Sequence, residues 1–111
     1  MFAGIFEIDS WMGTERHYFE GESPSDLIDQ LEHVQDLSCL VRMGRMEEDK
    51  KGQKQIDKLE AFLDKYYSNG LTVEDLRNFN IKISIGWIRC AKVAEGEKAV
   101  EELSKEYEDS K

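Results

Sequence analysis

Residues 80–93 read NIKISIGWIRCAKV, and whether they run as strand or helix decides the architecture. In an extended chain Ile81, Ile83, Ile85 and Trp87 share one face while Lys82, Ser84 and Gly86 share the other. That two-residue period belongs to a half-buried antiparallel strand. The competing reading makes 87–109 one long helix and leaves the C-terminal half without strands. Gly86 and Gly96 argue against it: Gly96 would weaken the interior of that helix, and Gly86 reads as a bend in the strand.

Downstream of Gly96, Val100, Leu103 and Tyr107 form a thin apolar stripe on a highly charged terminal helix. So narrow a face is marginal alone, so this helix is expected to dock on the domain or on a second copy. Upstream, GLTVEDL starts a short helix with Thr72 as cap, Asp75 as its capping-box partner and Leu71 stapled onto Leu76. Asn69-Gly70 ends a longer helix whose stripe is Ile56, Leu59, Leu63 and Tyr66 or Tyr67. EEDKKGQK (47–54) reads as a charged link, with Gly52 marking the candidate mobile segment. SCLVRMGRM (38–46) alternates Cys39, Val41 and Met43 against Leu40 and Arg42, which predicts a third strand. Ser23, Pro24 and Asp26 predict a helix over 24–36, with Leu27, Ile28, Leu31 and Val34 buried. Residues 2–8 and 15–20, joined through the turn chemistry of DSWMGT, predict a hairpin.

The resulting order, β-β-α-β-α-α-β-α, indicates an α+β fold: a mostly antiparallel sheet of about four strands with helices packed on one face. The 111 residues suit a single domain spanning 1–111, and a 40% apolar share is enough for a core.

The net charge of −9 is lopsided. Residues 1–40 hold nine carboxylates against Arg16 alone, and no lysine or arginine falls between Arg16 and Arg42. An acidic chain argues against direct nucleic-acid binding, which needs clustered cations, and favours basic partners. Cys39 and Cys90 lie in apolar contexts without CxxC spacing, as buried thiols of a cytoplasmic protein do. No apolar run approaches membrane-spanning length and the N-terminus lacks a signal-peptide pattern, so no membrane association is expected.

The chemistry-bearing residues form three groups. His17 and His33 stand in no catalytic motif, so an enzyme is not expected. Asp29 and His33, one helical turn apart, offer only one edge of a metal site, and neither metal nor other cofactor is expected. The second group is Tyr18, Arg42, Arg45, Trp87 and Arg89, guanidinium forks and aromatic platforms that suit a nucleotide or phosphorylated metabolite, with a dimer interface as one location for the pocket. The third is the acidic stripe Glu20, Glu22, Asp26, Asp29, Glu32 and Asp36. Exposed helices ordinarily mix Glu with Lys, as 50–65 does, and this one does not. The leading expectation is therefore a non-enzymatic inhibitor or adaptor that presents the stripe to a protein partner with a basic surface. Sequestering a small ligand is the alternative, and a structural homodimer seamed by the terminal helix is a third.

Overall fold

The computed structural model describes residues 1–10, 12–84 and 86–110, so the expectation for Ile85 lies outside the described residues. In chain order they form β1 (Phe2–Ser10), β2 (Gly13–Gly21), α1 (Pro24–Val34), α2 (Leu37–Glu47), α3 (Lys50–Tyr67), α4 (Val73–Arg77), β3 (Asn80–Ile83), β4 (Gly86–Glu95) and α5 (Glu97–Asp109). The strands make one antiparallel sheet in the order β2-β1-β4-β3. The class is the expected α+β, with element order β-β-α-α-α-α-β-β-α.

Two cores lie on opposite faces of the sheet. Phe6, Ile81, Ile88 and Cys90 on the first face meet Leu27, Ile28 and Leu31 of α1, Leu37 and Leu40 of α2, Leu59 and Leu63 of α3 and Leu76 of α4. On the second face Ala3, Ile5 and Ala94 meet Val100 and Leu103 of α5. The thin terminal stripe thus docks on its own sheet, and because α5 takes the face opposite α1–α4, helices cover both faces rather than the single face expected. A bulge at Ala91 makes this possible: Phe6 pairs with Cys90 but Ile5 pairs with Lys92, so the extra residue inverts the alternation of β4. Lys92 then reaches Glu106 of α5, while Val93 joins the first core.

Three segment readings are corrected, and Val34, expected on the buried stripe of α1, is exposed at the end of that helix. Segment 38–46 is not a strand but most of α2. Asp36 caps it by accepting from the Cys39 N–H at 3.0 Å, and Leu37, Leu40 and Gly44 recur at helical spacing on the buried side. Gly44 lets α3 come close, since a Cβ there would stand 2.2 Å from Ile56 Cδ1. The charged link shrinks to Glu48 and Asp49: Asp49 caps α3 by accepting from Gly52 N–H, and Gly52 is buried in the first helical turn. Residues 80–93 form a hairpin rather than one bent strand. Ile81 pairs with Ile88 and Lys82 with Trp87, so Trp87 lies on the face opposite Ile81 and Ile83. Gly86 opens β4 at φ +145°, where a Cβ would lie 1.9 Å from the Asp9 carbonyl oxygen.

Side chains reach single backbone groups at both outer edges of the sheet. Ser10 opposite Gly13 closes the first hairpin, so the even-numbered residues of β2 point their backbone groups away from β1. Of these, Glu20 C=O accepts from Gln30 Nε2 at 2.6 Å and Arg16 C=O accepts from Tyr107 OH at 3.3 Å. At the opposite edge Lys82 N–H donates to Gln55 Oε1 at 3.1 Å and Ser84 N–H to Glu48 Oε1 at 2.5 Å.

Candidate functional site

The acidic stripe is built on a well-fixed helix. Ser23 accepts from Asp26 N–H, and the Asp26 carboxylate accepts in return from the N–H groups of Glu22 at 2.8 Å and Ser23 at 3.2 Å. This is a complete capping box with Pro24 in the first turn. Leu27, Ile28 and Leu31 are fully buried beneath, which sets the outward direction of Asp29.

The other carboxylates are held as well. Glu32 accepts from Leu37 N–H at 2.9 Å, Asp36 from Cys39 N–H, and Glu20 from Tyr18 OH at 2.5 Å. Asp29 accepts from the Tyr66 hydroxyl. Burial first, and then the Asp29 carboxylate, raise the Tyr66 phenol above its ordinary value, so it stays a protonated donor. Every one of these donors is neutral. Among the described residues none of the six stripe carboxylates takes part in an ion pair, whereas Asp57, Glu60, Asp75 and Glu106 are bound to Arg45, Arg45, Lys65 and Lys92.

Sequence reasoning missed the aromatic border of this face. Tyr66 reads as part of the buried stripe of α3, yet it is half-buried and directs its hydroxyl to Asp29. Its ring meets Tyr67 at 5.3 Å, and Tyr67, 64% exposed, hydrogen-bonds Ser38 at 2.8 Å. No local signal marks this, because the contacts join α3 to α1 and α2. The Asp29–His33 pair gains no third ligand: among the described residues no group of three or more His, Cys, Asp or Glu is placed to hold a metal ion.

The arginine and aromatic group is split by the fold. Arg42 and Arg45 sit on α2; Arg45 is engaged by Asp57 at 2.6 Å, Glu60 at 3.4 Å and Gln53 at 2.7 Å. Tyr18 lies on the second face under α5, stacked on Tyr107 at 5.5 Å. Only Trp87 and Arg89 come together, the guanidinium carbon 4.6 Å from the indole centre. Glu7, which the sequence did not single out, joins them: its carboxylate binds Arg89 Nη2 at 2.7 Å and Arg16 Nε at 3.2 Å.

Burial pushes the Cys90 thiol up to about 12, which removes it as a nucleophile. No helix among the described residues is long and apolar enough to cross a membrane. No family model, curated protein or solved structure matches this chain.

Proposed function

We propose that this protein is a non-enzymatic binding module of the cytoplasm, an inhibitor or adaptor that presents the outer face of α1 to a basic surface on a protein partner. The observation that carries this reading is the absence, among the described residues, of any ion pair to Glu20, Glu22, Asp26, Asp29, Glu32 or Asp36, five of which are oriented by neutral donors. A carboxylate held by an N–H or a phenol keeps its full charge and has less conformational freedom to lose on binding. A partner supplying arginines provides the missing countercharge and gains long-range steering. The exposed ring of Tyr67 beside the acids offers a face on which a guanidinium can settle. The two unpaired thiols support a reducing compartment.

The test is a backbone-amide NMR titration with an arginine-rich peptide at low and high salt. Perturbed signals concentrate on α1 and the end of α3, fade with salt, and shrink in an Asp29→Asn/Glu22→Gln variant, whose amide oxygen at position 29 still accepts from the Tyr66 hydroxyl. Signals spread equally over the acidic surface of α5 would defeat the proposal, because net charge alone would then account for binding.

A further inference from the structure

We propose that the half of the sheet's second face left uncovered by α5 binds a nucleotide, its phosphate held by Arg89 and Lys82 on neighbouring strands, with Arg16 adding positive charge from the far edge, and its base lying on Trp87. The register places Arg16, Glu7, Arg89 and Asn80 side by side across all four strands, with Thr14, Asp9, Trp87 and Lys82 in the adjoining row. From the spacing of strands this platform measures about 14 Å by about 7 Å, the footprint of one nucleotide. The end of α5 bounds it where Arg16 Nη1 donates to Ser110 Oγ at 3.1 Å.

Its charge stoichiometry is inverted relative to the rest of the molecule. Among the described residues every other ion pair gives a base one or two carboxylates of its own; here two guanidiniums share the single carboxylate of Glu7. That carboxylate, 15% exposed, fixes both forks while leaving one positive charge over. Arg89 Nε and Nη2 face Glu7, so Nη1 remains to meet an incoming oxygen. Lys82, exposed and directly across from Trp87, has no carboxylate partner among the described residues. Asp9, the other acid of the platform, accepts from Thr14 Oγ1 at 2.7 Å and keeps its charge, so Arg16, Arg89 and Lys82 against Glu7 and Asp9 leave the platform one positive charge in excess. Trp87 with the Arg89 guanidinium over it makes a planar π surface of the kind on which bases stack. A lone anion would need only the cations; the tryptophan in the adjoining row points to a ring attached to it. The platform lies on the side of the sheet opposite α1, so it stands or falls independently of the acidic face.

The experiment follows Trp87 emission in a Trp11→Phe background, titrated with adenosine monophosphate, with inorganic phosphate and adenosine as separate arms. The nucleotide quenches saturably, phosphate displaces it, and adenosine binds about tenfold more weakly or less. Glu7→Gln, which frees both guanidiniums, tightens nucleotide binding about tenfold. Lys82→Ala, at an exposed position outside the ion-pair network, weakens it. Adenosine binding as well as its monophosphate would overturn the proposal, as would no quenching at millimolar nucleotide in both the parent and the Glu7→Gln variant. Tightening by Glu7→Gln together with weakening by Lys82→Ala would establish the anion site.

Discussion

The packing of α2 on α3 turns on one missing methyl group, and replacing Gly44 by alanine tests it. A Cβ at residue 44 would lie 2.2 Å from Ile56 Cδ1 and 2.7 Å from its Cγ1. Rotation about χ2 can carry Cδ1 away, but Cγ1 moves only with χ1, which β-branching restricts in a helix, and Ile56 is fully buried, so relief also requires the two helices to shift. Overpacking of this kind costs roughly 1–3 kcal/mol, and contacts this short belong at the upper end. The helix propensity of alanine returns about 1 kcal/mol. The net expectation is a loss of about 2 kcal/mol, or about 8 °C in melting temperature for a chain of this size. Urea unfolding followed by circular dichroism gives the first number and a thermal melt the second. Ile56→Val removes Cδ1 and alone costs about 1 kcal/mol. Combined with Gly44→Ala it should be less harmful than the sum by about 1 kcal/mol, the sign of a direct contact. A neutral or stabilising Gly44→Ala would refute the reasoning, because the added methyl would then fit beside Ile56 and the approach of α2 to α3 would not depend on its absence.

Two further outcomes follow from the hydrogen bonds. Burial, with the Glu20 bond second, pushes the Tyr18 phenol from 10.0 up to about 12, so the folded state holds this proton more tightly than the unfolded chain. The stability this adds is complete below pH 10 and lost as pH rises toward 12; urea midpoints across that window should fall less steeply in Tyr18→Phe, and an unchanged slope would assign the alkaline loss to other groups. At the β2 edge, Gln30→Leu with Tyr107→Phe leaves the Glu20 and Arg16 carbonyls uncovered, and sedimentation across concentration should show larger species than the parent forms.

What the sequence made legible was local. The capping boxes of α1 and α4 and the first hairpin depend on residues within a few positions of one another, and each appears where its signal lies. Segment 38–46 misleads because over so short a run the alternation of Cys39, Val41 and Met43 coexists with the helical recurrence of Leu37, Leu40 and Gly44. Burial against α3 decides between them. In 80–93 the hairpin turn sits inside an unbroken alternating pattern, so nothing local reveals that the parity changes before Trp87. The stripe of α1 was visible as composition, but its fixation was not: Tyr66 lies thirty-seven positions from Asp29. Glu7 escaped notice for the same reason, since its arginines arrive from the two neighbouring strands.

The interrupted edges of the sheet carry a consequence for how this molecule can acquire and lose partners. Strand addition recognises backbone, which any extended peptide supplies, so an open edge is a promiscuous one. Here Gln30, Tyr107, Gln55 and Glu48 each occupy one backbone group, at 20, 16, 82 and 84, and interrupt the run that an added strand would need. Association is left to side chains, and a preference built from side chains can be revised one surface codon at a time while the scaffold beneath it stays the same.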